Sequence, residues 1–280
     1  MVEKELIKSS FSESLIEKNR LFTILNDKVL ASKYFESDLY QQLLGYTDKY
    51  VQYHNLSLKE VKKAYLSFIK EYNKDVRIFD ETNKYPLEIT EDRQAPSRID
   101  YNIILLLSTF LNPHRFRIMQ LIKEKNLAAE KGLFIGCGPG LEIDLTLDKV
   151  AEIVAYDLTL DEFLIDHYAK NIEFRNEFFN GEGTEKYDSI FLIEILEHLK
   201  DPFKLLANCK KVMKKSSRIY LTTATNIPQF DHLYNFESDH SHFNKMVTEM
   251  GFKIDFSEDI FHSFITKGAD SKNKFYILSI

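Results

Sequence analysis

Cysteine is scarce in this chain. Cys137 and Cys209 are the whole complement among 280 residues. Two thiols are too few for a disulfide framework or a cysteine zinc site, and they suit a reducing compartment, so a cytoplasmic location is expected. Long apolar runs are missing as well. No stretch approaches the ~18 consecutive apolar residues of a membrane span. The opening MVEKELIKSS carries acids early and has no apolar leader core. An excess of positive charge is also lacking: residues 1–97 hold 15 Lys+Arg against 16 Asp+Glu, and the remainder holds 22 against 27. Neither half offers the basic surface that a phosphate backbone demands, which argues against a nucleic-acid partner. Tryptophan is absent too, and its absence excludes nothing. What is present is a 44% hydrophobic fraction with scattered charge, the composition of a packed chain rather than a disordered one. The length calls for two units, or for one core with a substantial extension.

Residues 1–97 read as a helical unit. Ser57-Leu-Lys-Glu60 has the Ser-x-x-Glu pattern of a capping box. After it Val61, Ala64, Tyr65, Phe68, Ile69 and Tyr72 recur at helical spacing and give one apolar face. Asp38 is a candidate cap for an earlier helix whose inner side holds Leu39, Leu43, Leu44 and Tyr50. Asp75–Pro96, with two prolines and the mixed-charge run Glu91-Asp92-Arg93, reads as a connecting loop and a boundary. Two further helices are expected, Ile99–Leu111 and one that starts at Asn112-Pro113 and runs to Lys125. From Lys131 the rhythm becomes α/β. Strands are expected at Leu133–Ile135, Glu152–Asp157, Ile172–Arg175, Asp188–Ile193, Arg218–Thr223, Phe252–Phe256 and Lys274–Ile280. Helices are expected at Asp161–Ala169, Pro202–Met213 and His240–Met250. Alternation of this kind implies a largely parallel sheet with a ligand beyond the carboxyl ends of its strands.

The first chemical element is the loop Gly136-Cys137-Gly138-Pro139-Gly140 after a buried strand. Glycines at alternate positions allow a sharp turn and a close approach of backbone to ligand. A dinucleotide site would want G-x-G-x-x-G, but Leu141 stands where the third glycine should fall and Pro139 sits inside the turn. Asp157 follows Gly140 by 17 residues at a strand end, where a carboxylate can accept both hydroxyls of an adenosine ribose. Glu194, Glu197 and His198 cluster after the Asp188–Ile193 strand. Histidine is the residue type that exchanges a proton near neutral pH, and the two acids could equally hydrogen-bond backbone. Cys137 is expected to act through its backbone and Cys209 to be core. His114 and Arg115 read as a surface helix start.

On these residues the chain resembles the class I S-adenosylmethionine (SAM)-dependent methyltransferases. LFIGCGPG (Leu133–Gly140) is similar to the family's first motif, AYDLT (Ala155–Thr159) to its second, FRNEFF (Phe174–Phe179) to its third, and YDSIFLIEILEHLKDP (Tyr187–Pro202) to its fourth strand and following helix. Asn176-Glu177 stands where the family usually has Gly-Asp. The resemblance runs from about Lys131 to the end and covers none of the first hundred residues. It implies a Rossmann-like seven-stranded, mostly parallel sheet of order 3-2-1-4-5-7-6 with an antiparallel seventh strand, carrying an N-terminal helical extension. The implied division is 1–97 as a helical domain or substrate lid and 98–280 as the SAM-binding domain. SAM would be held by Gly136, Cys137, Gly138, Gly140, Asp157, Leu158, Glu177, Phe178 and Glu194. His198 and Glu194 are the candidate catalytic residues.

Three functions follow from the resemblance. One is methylation of a small-molecule acceptor, at oxygen first and nitrogen next, under the extension and the aromatics Phe230, Tyr234, Phe236 and Phe243. A second is a divalent-metal-assisted RNA 3′-end 2′-O-methyltransferase, because Glu-x-x-Glu-His resembles the metal-holding pattern of such enzymes and of ubiquinone-type O-methyltransferases, with His240 or His242 completing the set. The metal is not the favoured expectation. The third is a SAM-binding interaction protein without catalysis. A homodimer is compatible with all three.

Overall fold

The helical half begins with caps written in the sequence. Ser57 accepts from the Glu60 backbone N–H while the Glu60 carboxylate accepts from the Ser57 N–H, and this closed box starts α4, Leu58–Thr82. A second such box, Ser10 with Glu13, starts α1, Phe11–Glu17. Between them lie α2 (Arg20–Leu30) and α3 (Ser37–Tyr53). Two expectations shift here. Glu36, not Asp38, holds the cap position of α3 and makes no side-chain cap bond, and Asp38 sits in the first turn. The expected loop from Asp75 is helical as far as Thr82, where Asn83 in the left-handed region ends α4. The computed structural model describes residues 10–85, 96–168, 172–262 and 271–280. Pro86 and Glu91–Arg93 lie outside them. Ser97 caps α5 (Arg98–Leu111), and Pro113 opens α6 (Pro113–Lys125) from the extended Asn112.

The seven strands are β1 Ala129–Ile135, β2 Val150–Tyr156, β3 Ile172–Arg175, β4 Tyr187–Leu192, β5 Met213–Thr225, β6 Lys253–Phe261 and β7 Lys272–Ser279. They form one sheet of order β3-β2-β1-β4-β5-β7-β6. β7 runs antiparallel to β5 and β6, and the remaining pairs are parallel. This is the Rossmann-like order that the resemblance implies. Helices α7 (Leu141–Asp144), α8 (Glu162–Tyr168), α9 (Pro202–Lys211) and α10 (Ser241–Glu249) connect the strands.

Alternation along the strands divides the core in two. Leu133, Ile135, Val154, Tyr156, Ile190 and Leu192 face one layer, which holds Leu205, Leu206 and Cys209 of α9 and Phe243 and Val247 of α10. Phe134, Ile153, Ala155, Phe191 and Tyr220 face the other. There Phe134, Phe191 and Tyr220 stack ring on ring across β1, β4 and β5, with centroids 4.3 and 4.9 Å apart. That second layer continues without a break into α1–α6, so the extension and the sheet share one buried cluster.

Buried polar contacts fasten the extension in place. Asp161, just before α8, accepts from Tyr50 (2.5 Å) and Asn102 (2.8 Å) and lies 2.9 Å from His54 Nε2. Its carboxylate is thereby shared between α3 and α5. Burial raises the proton affinity of Asp161, and the bonds from Tyr50, the Phe163 N–H, His54 and Asn102 outweigh it, so the net direction is downward. Among the described residues no helix is long and apolar enough to cross a membrane.

Candidate active site

The strand order reverses between β1 and β4, and the site lies beyond the carboxyl ends of β1, β2 and β4. A cavity of about 640 Å³ opens there, within the usual range for a small-molecule pocket. On one side it is walled by the glycine loop. Gly136, Gly138 and Gly140 all have positive φ, at 72°, 51° and 80°. A Cβ built on Gly138 would meet only Leu105 Cδ1, at an ordinary contact distance of 3.5 Å. Gly140 is different: its Cβ would stand 2.3 Å from Leu164 Cδ2 and 3.0 Å from the Tyr46 hydroxyl. It is a packing glycine, and of the nine residues expected to hold the cofactor it alone does not line the cavity. Cys137 lines it as a buried thiol whose proton affinity burial pushes up, followed by the charge of Asp157.

Asp157 follows β2, and backbone N–H groups hold its carboxylate in place while leaving each oxygen able to accept again. Oδ2 accepts from the Gly138 N–H at 3.0 Å and Oδ1 from the Thr159 N–H at 3.0 Å. Arg98, at the start of α5, reaches Oδ2 at 3.1 Å. Leu158 and Phe178 stand at the rim, 66% and 53% exposed, and Glu177 lines the wall between Asp157 and Phe179. Asn176, the departure from Gly-Asp, holds the rim together: its Oδ1 accepts from the Leu160 N–H at 2.9 Å.

Glu194 follows β4 with φ of 53°, a left-handed backbone that a glutamate rarely adopts. Its N–H donates to Thr222 Oγ1 at 2.7 Å. Both carboxylate oxygens are occupied, one by Asn273 Nδ2 (2.7 Å) and one by Arg115 Nη1 (3.0 Å). Such full occupancy suits holding a position rather than taking a proton. His114 and Arg115, expected on a surface helix start, are buried at the first turn of α6 and line the cavity. That first turn is covered by the ends of two strands, Arg115 meeting Glu194 after β4 and His114 meeting His262 after β6. His114 stacks on His262 at 3.7 Å. Both imidazoles are held neutral by burial, with Arg115 nearby acting in the same direction.

Glu197 and His198 lie on the 3-10 turn Leu196–His198. Glu197 is buried, its Oε2 has no hydrogen-bond partner, and burial with Glu194 close by pushes its carboxyl well above the usual carboxylate range. His198 Nδ1 lies 3.1 Å from the Asp231 carbonyl oxygen. A carbonyl only accepts, so Nδ1 carries the proton and Nε2 is left as the bare base. Asp231 also places Oδ2 at 3.5 Å from that Nδ1. His232 repeats the pattern, with Nδ1 2.9 Å from the Ile227 carbonyl, and burial lowers it to about 4.

One ligand-capable atom from each of Glu197, His198 and His232 lies within 4.8 Å of the others. The orphaned Glu197 oxygen and the two imidazoles held at Nδ1 fit a divalent ion. The downstream histidine of that set is His232 and not His240 or His242. His240 is buried against the Thr223 hydroxyl at 2.8 Å, and His242 packs edge-on to Phe203.

The expected lid aromatics are likewise replaced. Phe236 and Phe243 are buried in the layer under α9 and α10, Tyr234 packs against it, and none of these nor Phe230 lines the cavity. Ile227, Gln229, Asp231 and His232 do. Much of the remaining wall comes from the extension, Leu21 and Leu25 of α2 and Tyr65, Phe68, Ile69 and Tyr72 of α4, joined by Tyr101, Ile104 and Leu105 of α5.

Comparison with known proteins adds the following. A family described as "Methyltransferase domain" matches residues 108–253, just over half of the chain. The ubiquinone biosynthesis O-methyltransferase of Haemophilus ducreyi is 28% identical over 125 residues, covering 40% of this chain and 52% of that protein. Its counterpart in Pseudomonas fluorescens is 24% identical over 127 residues, covering 42% and 54%. The chain thus spans about half the length of these curated relatives. Among solved structures, the N-methyltransferase NodS from Bradyrhizobium japonicum aligns at 16% identity and a TM-score of 0.47, covering 59% of this chain and 94% of NodS. The 1,6-didemethyltoxoflavin-N1-methyltransferase of Burkholderia thailandensis aligns at 14% and 0.47, covering 67% and 92%.

Proposed function

The chain belongs to the methyltransferase-domain family, and from that premise we propose that it transfers a methyl group from SAM to a hydroxyl of a small-molecule acceptor. The observation that carries this reading is the juxtaposition, in one cavity, of a positive-φ glycine loop bonded to Asp157 with an imidazole whose Nε2 is left bare. The residues present fit the cofactor. Asp157 offers ribose hydroxyls a carboxylate, and Leu158 and Phe178 offer adenine an apolar rim. Bound there, SAM supplies an electrophilic methyl on a sulfonium, which is transferred by in-line displacement.

The chain's own work is then placement and proton removal. Glu194, fixed by Arg115 and Asn273, orients the floor of the site. An acceptor hydroxyl seated beside that methyl would lose its proton to His198 Nε2, with Asp231 holding the ring from its other side. Residues 1–97 cover the acceptor in this reading. The test is turnover of SAM with a panel of phenols and alcohols, together with a truncation starting near Ser97. A truncated protein that stays folded and keeps full turnover contradicts the role given to the extension.

A second reading is favoured by the Glu197–His198–His232 cluster. A divalent ion held there would act as a Lewis acid on the acceptor oxygen, and it would reverse the protonation that burial imposes on Glu197. Activity that EDTA abolishes and added Mg²⁺ or Zn²⁺ restores supports it. Activity unchanged by EDTA removes it.

A further inference from the structure

We infer that the acceptor half of the cavity takes an uncharged amphiphile, a hydroxyl-bearing head set on an apolar aryl or alkyl body, and that α4 supplies the wall that recognises that body. This inference rests on the proposed function and deepens it.

The first observation is the α4 stripe. Tyr65, Phe68, Ile69 and Tyr72 recur at spacings of three and four, the pattern of a helix face that normally disappears into a core. Tyr65 does disappear, at 1% exposure. Phe68, Ile69 and Tyr72 stay only half-buried while lining the cavity, so their apolar surface has no protein partner on the cavity side. Leu21, Leu25, Ile104 and Leu105 extend the same surface. All of these residues precede residue 108, where the family match begins. The wall is therefore built by α2, α4 and α5, ahead of the family match.

The second observation is charge. Every guanidinium that lines the cavity already faces a carboxylate of this chain, Arg98 with Asp157 and Arg115 with Glu194. No lysine is among the described residues of the lining. Glu142 is pushed toward its neutral form by burial. An anionic acceptor would thus find no unpaired cation and would lie near Asp231 and Glu177. A neutral one needs only a hydrogen-bonding head beside His198, which the Gln229–His232 segment supplies.

The third observation joins the two ends. Tyr85, just after α4, donates its hydroxyl to Asn235 Oδ1 at 2.8 Å and accepts from the Ile227 N–H at 3.2 Å. The apolar wall and the loop that orients the base are thereby tied to one another, and the distance between body and head is set by the fold.

The test is calorimetry with 4-n-alkylphenols from methyl to hexyl, and with ω-carboxyalkylphenols of equal length, each titrated with and without the demethylated product S-adenosylhomocysteine (SAH). Affinity is expected to rise two- to fourfold per methylene in the alkyl series, the upper figure being the fold-change for a fully buried methylene. The carboxylates are expected to bind at least tenfold more weakly at equal length. Ile69→Asp is expected to flatten the alkyl series while leaving SAH affinity unchanged, and Ile69→Leu to restore the slope. A flat wild-type alkyl series, or carboxylates that bind more tightly than their alkyl counterparts, overturns the inference. Heat from SAH with a flat series removes the inference and keeps the cofactor reading. A sloping series without SAH heat supports the inference and removes the cofactor reading.

Discussion

On the side of the cavity proposed for the cofactor, nearly every lining residue comes from a short contiguous stretch at a strand end: residues 136–138 after β1, 157–158 after β2, 177–178 after β3 and 194–195 after β4. On the side proposed for the acceptor the wall is assembled from single residues of α2, α4, α5, α6 and the 227–232 loop, drawn from distant parts of the chain between Leu21 and His232. The first half works largely through backbone groups and a strand-tip carboxylate, so its pattern is local in the chain. The second half works through side chains brought together by packing, so it has no local pattern. The difference teaches where variation is tolerated: a cofactor needs one fixed geometry, and an acceptor site can be rebuilt helix by helix.

Breaking one half at a time tests this division. The largest effect is expected from His198→Ala, which removes the base from the acceptor half. Turnover should fall by about 10²–10⁴ with SAH affinity unchanged in calorimetry, and an equal loss of SAH binding would contradict the division. Asp157→Ala breaks the other half. It removes charge-assisted bonds worth about 1.5–3 kcal/mol each, so SAH affinity should fall roughly a hundredfold, and an unchanged affinity refutes its role.

The acidity of the buried imidazoles gives a third test. His232 and His240 are both lowered to about 4, burial being the larger cause in each, with His198 beside the first and Lys274 and Lys272 beside the second. Both fold as neutral rings. As pH falls below 6.5 the unfolded chain takes up protons that the folded chain refuses, so stability should decline between 6.5 and about 4 and these groups should add no further loss below that. The decline from His232 is at most about 1.4 kcal/mol per pH unit. In denaturant titrations His232→Asn should make the slope in that window shallower, and an unaltered slope would show that His232 does not carry it.

The smallest effect sharpens the comparison, because it crosses the halves. Tyr46 of α3 donates its hydroxyl to the Pro139 carbonyl at 2.7 Å, inside the glycine loop. Tyr46→Phe removes a bond worth about 1 kcal/mol. KM for SAM should rise about fivefold with kcat unchanged, and a fall in kcat at constant KM would place Tyr46 elsewhere in the mechanism.

Legibility followed the same line. Strand order was available once the motifs were recognised, because each motif sits at a strand end whose place in the sheet is common to the fold. The capping box at Ser57–Glu60 and the buried face of α3 could be read from spacing alone. The end of α4 could not: Asp75 is buried and a mixed-charge surface continued the helix to Thr82, where Asn83 in the left-handed region stopped it. A charged first turn after Asn-Pro reads as solvated, and only Glu194 and His262, distant in sequence, make Arg115 and His114 buried. His232, eight residues before His240, had no spacing to distinguish it. Its Nδ1 contact with the Ile227 carbonyl was the one usable signal, and that contact exists only in three dimensions. Phe236 and Phe243 were assigned to a lid on aromatic content, whereas both fill the layer beneath α9 and α10.

Calorimetry of the full chain with SAM and with SAH tests the central claim most directly. The account predicts one-to-one binding of both ligands, weakened together roughly a hundredfold in Asp157→Ala and kept in His198→Ala. No heat from either ligand with the folded protein would contradict it.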